Sequence, residues 1–169
     1  MAGRLARWVT TEPDWDAMYA EALPRVYNFF RYRFGASADA EDLTARTFEK
    51  AWTQRHRYRR DVAAFSTWLF TIARNVGADH YRRSQRLAPL SAASEIASGE
   101  SPEAEALQRS DAARLARLLT TLPDRDRELL ALKYGAGMNN RAIARATGLS
   151  ESNVGTILHR AVQSLRGQW

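Results

Sequence analysis

The chain of 169 residues has no cysteine and almost no lysine, since only Lys50 and Lys133 are found among its 25 basic residues. Without thiols it cannot form disulfides, thiolate zinc sites or a thiol redox switch of its own. His56, His80 and His159 are scattered and show no metal-ligand spacing. No apolar run approaches the length of a membrane span, and the N-terminus lacks the run that a signal peptide needs. We therefore expect a cytoplasmic protein without membrane insertion, metal or cofactor.

Positive charge dominates the sequence, with a formal net charge of +6 and an isoelectric point near 10.1. Such a charge favours a polyanionic partner, either nucleic acid or an acidic protein surface. The charge also divides the chain: residues 1–87 and 109–169 each carry a net +5, whereas residues 88–108 carry −4 and no base. The middle segment is rich in Ala, Ser, Gly and Pro, which is typical of a linker. We therefore predict two basic domains, 1–87 and 109–169, joined by an acidic linker.

Helical periodicity is strong and strand signals are poor, which predicts an all-α fold of two small helical domains. Helices are expected over residues 14–32, 38–55, 104–121 and 125–134, and from residue 65 onwards. In the last of these, an apolar stripe from Phe65 to Val76 should face the core, with Ser66 as a plausible N-cap. Phe70, Arg74 and Tyr81 should lie on one line away from that stripe, although Phe70 and Tyr81 would look the same if each packed against a neighbouring helix.

Two short helices near the C-terminus are joined by a tight turn that contains Gly148, with Asn139 and Ser150 as predicted caps. This is the helix-turn-helix pattern, whose second helix enters the major groove of DNA. The polar residues on its exposed side can contact bases or phosphates, and they are Ser152, Asn153, Thr156, His159 and Arg160. An ordinary solvent-facing helix would show the same periodicity.

The stretch "LPDRDRELLALKYGAGMNNRAIARATGLSESNVGTILHRAVQSLR" resembles region 4 of the extracytoplasmic-function sigma factors, small promoter-specificity subunits of bacterial RNA polymerase. The resemblance implies that the second helix reads the minus-thirty-five promoter element. The first half of the chain is similar to region 2 of the same family. There "AEDLTARTFEKAW" resembles the helix that docks on the polymerase clamp, so that the polar stripe of Asp42, Arg46 and Glu49 is expected to contact polymerase.

The stretch "FSTWLFTIARNVGADHYRRSQR" resembles the helix that the family lays against the minus-ten element, and "RHRYRRDVAAF" before it resembles the loop that captures a flipped base. Arginine with interleaved aromatics also suits single-stranded nucleic acid. No ATP-binding motif is found, so melting would be driven by binding energy shared with the polymerase. The expected minus-ten residues are Tyr58, Arg59, Arg60, Asp61, Arg74, Asn75, Arg82 and Arg83.

The sequence thus predicts an alternative sigma factor, not an enzyme. Its implied partners are promoter DNA and core RNA polymerase, through the clamp of the beta-prime subunit and the flap of the beta subunit. Whether an anti-sigma factor also binds is open. A stand-alone helix-turn-helix regulator is the alternative, but it leaves the N-terminal domain unexplained. A nuclease is a third class, and the helical spacing of the clustered acids Asp39, Glu41 and Asp42 favours a docking helix over a metal site.

Overall fold

A computed structural model of the chain describes residues 13–35, 38–87 and 102–169. Within these residues the secondary structure is entirely helical, which confirms the predicted all-α class. The α-helices, in chain order, are α1 (Trp15–Phe34), α2 (Ala38–Thr53), α3 (Phe65–Leu87), α4 (Pro102–Thr120), α5 (Asp124–Leu130), α6 (Asn140–Thr147) and α7 (Glu151–Gln168). A 3-10 turn follows α2 at Arg55–Arg57, and a π-helical turn continues α5 over Ala131–Gly135.

The helix ends near the C-terminus follow from local side-chain chemistry. Asn139 Oδ1 accepts the backbone N–H of Ala142 at 2.8 Å, and Ser150 Oγ accepts that of Asn153 at 3.1 Å. Each bond satisfies a donor that has no partner inside its helix. Gly148 ends α6 in the left-handed conformation, with φ +76°, which favours glycine. The predicted caps and turn of the helix-turn-helix are therefore confirmed.

Large apolar side chains hold the first three helices together as one unit. Phe29 and Phe30 of α1, Leu43 of α2, and Leu69 and Phe70 of α3 are all almost completely buried. The prediction that Phe70 lies away from the apolar stripe is wrong. Its ring meets that of Phe29 at 5.9 Å between centroids, because α3 buries this side against α1. Ser66 is likewise not the N-cap, since α3 already begins at Phe65.

The C-terminal helices form a second unit around their own apolar residues. The buried side of α7 consists of Val154, Ile157, Leu158 and Ala161. These residues pack toward α5 and α6, whose buried residues include Leu129, Leu130 and Ile143. Helix α4 begins at Pro102, inside the linker predicted over residues 88–108, and residues 88–101 lie outside the described residues.

The two units pack directly on each other, α1 along α5 and the π-helical turn, and α3 against α6. The closest approach is at Gly135, where a Cβ atom would lie 2.8 Å from the carbonyl oxygen of Asn28 and 3.1 Å from the Cα of Phe29. Any side chain here would have to displace the backbone of α1. Glycine is therefore required for this contact between the units.

The burial of Phe70 gives a test of the core assignment. Phe70→Ala should lower the free energy of unfolding by about 3–5 kcal/mol, because it removes a large buried ring and leaves a cavity. Val62→Ala is the matched control, since Val62 is 74% exposed and its truncation should cost less than about 0.5 kcal/mol. Urea unfolding followed by circular dichroism measures both. A Phe70→Ala protein as stable as the control would place this ring on the surface.

Candidate nucleic-acid interface

The polar face of α7 is fully accessible in the structure. Ser152, Asn153, Thr156, His159 and Arg160 are all exposed, opposite the buried side of the helix. Thr156 Oγ1 donates to the carbonyl of Ser152 at 3.1 Å. Among the described residues, the side chains of Asn153, His159 and Arg160 have no hydrogen-bond or ion-pair partner. Because a free donor or acceptor can bind a base edge without first breaking another contact, this face suits DNA recognition.

A further basic residue lies beside this face. Arg141, in the first turn of α6, places Nε 3.7 Å from Glu151 Oε2 at the start of α7, and both side chains are more than half exposed. Arg141 is thus held near the N-terminus of α7, where helix geometry already favours a phosphate. The sequence prediction did not include Arg141. The sequence signal that could have identified Arg141 is its position in the first turn of α6, the helix that precedes the recognition helix.

The loop between α2 and α3 is anchored by aromatic rings. Tyr58 packs against Trp15, Phe65 and Trp68, with ring centroids 5.2 to 5.8 Å apart. Burial raises the pKa of the Tyr58 hydroxyl, and the positive charge of Arg60 partly opposes that rise. The ring that the sequence offered for base stacking is therefore half-buried and holds the loop to α1 and α3.

Charged side chains project from the same loop into solvent. Arg59 donates two hydrogen bonds to the carboxylate of Asp61, at 3.1 and 2.9 Å, and both residues are about two-thirds exposed. The hydrogen bond from Arg59 lowers the pKa of Asp61, so the pair is ionised at neutral pH. Arg60 is also exposed. Three of the predicted minus-ten residues thus lie together at the tip of an anchored loop.

The exposed side of α3 carries three more of the predicted residues, Asn75, Arg82 and Arg83. Arg82 hydrogen-bonds Asp79, and this contact lowers the pKa of the Asp79 carboxyl. Arg83 lines a shallow groove between α2 and α3, and Arg46 and Glu49 line the same groove. The sequence analysis assigned Arg46 and Glu49 to polymerase docking and Arg83 to DNA. In the structure all three residues line the same groove.

The predicted docking stripe lies on the exposed side of α2. Asp42, Arg46 and Glu49 are all exposed, and Arg46 Nε is 3.0 Å from Asp42 Oδ2. Trp52, near the end of the same helix, is 47% exposed. The guanidinium of Arg55 covers its ring at 3.9 Å, a cation–π contact that replaces burial in the core.

Arg74 is the one predicted minus-ten residue that the structure separates from the others. Its Nε and Nη2 donate to the carboxylate of Glu128 at 3.1 and 3.2 Å, and its Nη1 donates to the carbonyl of Ala146 at 2.5 Å. Arg33 donates to the same carboxylate at 2.9 Å and also to Asp124 at 3.1 Å. Arg74 thus binds the second unit of the protein, and its side chain is only 24% exposed.

This buried cluster of Arg33, Arg74 and Glu128 was missed by the sequence analysis. Arg33 is only 3% exposed, and the Glu128 side chain is 12% exposed. A weak signal was present, because Arg33 stands within the aromatic run "NFFRYRF" and Glu128 precedes "LLAL". Charged residues at such apolar positions are rarely buried unless they are paired, but the sequence does not say with which partner.

The described residues offer neither a metal site nor a membrane span. Across residues 13–35, 38–87 and 102–169, no group of histidine, aspartate and glutamate is arranged to hold a metal ion, and the acids Asp39, Glu41 and Asp42 lie along the exposed side of α2. In the same residues, none of the helices has the length and apolarity that crossing a membrane requires.

Comparison with known proteins matches both halves of the chain. The family model for sigma-70 region 2 matches residues 18–87, and the model for sigma-70 region 4 matches residues 112–165. These spans coincide with the two structural units and occur in that order along the chain.

Individual relatives agree with the family models. The chain is 31% identical over 151 residues to the ECF RNA polymerase sigma factor BldN of Streptomyces coelicolor, covering 88% of this chain and 57% of BldN. It is 29% identical to the ECF RNA polymerase sigma factor SigM of Bacillus subtilis, covering 89% of this chain and 92% of SigM. The chain thus spans little more than half of BldN but nearly all of SigM.

Among solved structures, the sigma factor RpoE of Bartonella quintana, in complex with the anti-sigma factor NepR, superposes with a TM-score of 0.73. The alignment covers 91% of this chain and 95% of RpoE at 22% sequence identity. At that identity the likeness supports the shared fold.

Proposed function

Because this chain belongs to the extracytoplasmic-function sigma factors of the sigma-70 family, we propose that it is an alternative sigma factor. It binds core RNA polymerase in the cytoplasm and directs promoter-specific initiation, including melting of the minus-ten element, without catalysing a reaction itself. The observation that carries this proposal is the ordered pair of units, each presenting an exposed polar surface suited to nucleic acid. A stand-alone regulator would need only the second unit.

We assign minus-thirty-five recognition to the exposed face of α7. Its N-cap, its buried side and its unpaired polar side chains match a recognition helix in an intact major groove. Asn153 can pair bidentately with adenine, while Arg160 can bind guanine or phosphate. Arg141 adds a positive charge beside the N-terminus of the same helix.

The minus-ten surface consists of the loop tip and the exposed side of α3. Arg59, Arg60 and Asp61 supply charged and hydrogen-bonding groups, while Tyr58 fixes the loop through its aromatic neighbours. Flipping a base out of the stack costs a few kcal/mol, which a pre-formed loop can offset only by binding the base once it has left the duplex. The loop should therefore act on separated strands rather than on duplex DNA.

Polymerase docking is assigned to the stripe of Asp42, Arg46 and Glu49, with the beta-prime clamp as its partner and the beta flap as the partner of the second unit. Mixed charge held in one exposed stripe suits a specific protein contact more than a DNA backbone. An anti-sigma factor is a further candidate partner, because RpoE of Bartonella quintana, which shares this fold, was solved with one.

Substitutions in the two DNA surfaces should impair different steps of initiation. Asn153→Ala and Arg160→Ala should weaken binding to duplex promoter by about 1–3 kcal/mol each if the lost contact is to a base. The triple change of Arg59, Arg60 and Asp61 to Ala should leave duplex binding nearly intact but impair strand opening. Permanganate footprinting on duplex and pre-melted templates with core polymerase measures opening. A pre-melted bubble should restore part of the activity of the triple variant only.

Normal opening of duplex DNA by the triple variant would show that the loop is an ordinary surface turn. If both α7 variants transcribe every promoter as well as the wild type does, α7 does not recognise the promoter. Gln163→Ala serves as a matched control, because Gln163 is exposed on the same helix but lies further from its N-terminus.

Association with core polymerase tests the function as a whole. The chain should co-purify with core enzyme and support run-off transcription, and reversing both charges at Arg46 and Glu49 should reduce association without loss of helical content. The double reversal keeps the net charge unchanged, so a loss of binding reports the arrangement of charges. Wild-type protein that neither binds core enzyme nor supports transcription would favour the stand-alone regulator.

A further inference from the structure

Four aromatic rings meet where the loop between α2 and α3 joins the helices of the first unit. They belong to Trp15 at the start of α1, Tyr58 in the loop, and Phe65 and Trp68 at the start of α3. Each ring contacts the three others, with centroids 5.2 to 6.3 Å apart. Aromatic rings attract each other at these distances. These four side chains form the ring quartet.

The middle of the loop, residues 57–63, depends on the quartet for its place on the protein. Its backbone N–H groups donate to carbonyls only three or four residues earlier, as that of Val62 does to Arg59 at 3.0 Å. The ion pair of Arg59 with Asp61 also lies within the loop. Among the hydrogen bonds, ion pairs and ring contacts described for these residues, only those of the Tyr58 ring reach α1 and α3. The Tyr58 ring therefore attaches the loop to the helices.

Trp15 is the quartet member that α1 contributes. Asp14 is the N-cap of this helix, and its Oδ1 accepts the backbone N–H of Ala17 at 3.0 Å, which fixes the turn that carries Trp15. The Trp15 ring meets that of Tyr58 edge-on, at 5.8 Å between centroids and 73° between planes. It is half-buried and lies outside the buried core of the described residues. Loss of this ring should therefore affect the loop more than the core.

Family membership does not account for Trp15. The region 2 model begins at residue 18, so that Tyr58, Phe65 and Trp68 lie inside the matched segment and Trp15 lies before it. The role of Trp15 thus has to be inferred from its contacts in this chain, and the contact that reaches a proposed DNA surface is the one with Tyr58.

A loop that binds a base benefits from being held in place beforehand. Ordering a mobile segment at the moment of binding weakens the affinity, whereas a segment that is already ordered avoids this cost. Arg59, Arg60 and Asp61 directly follow Tyr58, so the position of the Tyr58 ring sets where these three charged groups stand. A ring that packs on Tyr58 can therefore control base capture without touching DNA.

We propose that Trp15 is a positioning residue for strand opening: through Tyr58 it holds the tip of the loop where a base that leaves the duplex meets it. The inference rests on the proposed function of the loop. Removing the Trp15 ring takes away one of three ring contacts of Tyr58. One such contact is expected to change the population of detached loop by about 2- to 12-fold.

Trypsin measures the attachment of the loop in the full free chain. Arg57, Arg59 and Arg60 are exposed in it, and cleavage of a folded protein follows the population of locally opened chain. Trp15→Ala should be cut in the loop about 2- to 12-fold faster than the wild type, with the first cut located by mass spectrometry. Trp15→Phe keeps a ring and should be cut at nearly the wild-type rate.

Val26→Ala is the matched control for stability. Val26 is fully buried on the same helix, so its truncation weakens the core of the first unit but removes no ring. The rate of the first cut in the loop should stay at the wild-type value in this variant. Circular dichroism should show the same helical content in all four proteins.

Strand opening supplies a measurement that a purely structural role of Trp15 would not change. With core polymerase, permanganate footprinting should show about 2- to 12-fold less opening of duplex promoter by Trp15→Ala, and a pre-melted bubble should restore the loss. Trp15→Phe and Val26→Ala should open the duplex as the wild type does. Binding of Trp15→Ala to duplex promoter should be unchanged, because the exposed face of α7 lies in the second unit.

Three results would overturn the proposal. The first is cleavage of the loop in Trp15→Ala at the wild-type rate, and the second is faster cleavage together with normal opening. The third is a Trp15→Phe protein that is cut as fast as Trp15→Ala, because the ring would then not be what holds the loop. Poor opening by Val26→Ala as well would attribute the loss to stability and would also contradict the proposal.

Failure of this inference can be told apart from failure of the proposed function. If the chain is not a sigma factor, the wild type opens no promoter with core polymerase, and the inference is rejected with the function. If the chain is a sigma factor whose loop does not depend on Trp15, the wild type and Trp15→Ala open the promoter alike.

Discussion

One carboxylate joins the two halves of this protein. Glu128 accepts hydrogen bonds from Arg33 of α1 and Arg74 of α3, three charged groups contributed by three different helices. Removing one partner from a buried ion pair typically lowers the free energy of unfolding by about 3–5 kcal/mol, because the remaining charge is shielded from water and has no partner. The cluster therefore fixes how the two units sit relative to each other.

The two other surfaces assigned to DNA lie away from the Glu128 cluster. The polar face of α7 points outward, because its N-cap and its buried side are complete within the second unit. The loop tip of Arg59 to Asp61 is also exposed, because aromatic packing of Tyr58 holds it within the first unit. Arg74 differs, because its guanidinium is bound to Glu128 and to the carbonyl of Ala146 in the second unit.

Local features were predictable from the sequence, whereas contacts between distant segments were not. The caps Asn139 and Ser150 and the turn at Gly148 involve neighbours within a few residues, and all three are confirmed. The exposed face of α7 follows from helical periodicity alone. Phe70 was misplaced because periodicity marks one buried stripe, while α3 packs on more than one side. The interaction of Arg74 with Glu128 spans 54 residues, and no local pattern encodes that pairing.

The minus-ten assignment illustrates the same limit. A run of arginine with an aromatic residue suits single-stranded DNA, but the pattern does not distinguish a ring that stacks on a base from one that anchors the loop, as Tyr58 does. The pattern also does not distinguish an arginine that is free to bind a phosphate from one that is already bound to a carboxylate. Those distinctions depend on which helices meet, and that follows from packing of the two units rather than from residue type.

The claim that the Glu128 carboxylate joins the two units is tested most directly by the Glu128→Gln protein. The account predicts that its free energy of unfolding in urea is lower than that of the wild type by about 3–5 kcal/mol, because Arg33 and Arg74 lose the charge that they share. A variant that is as stable as the wild type would contradict it.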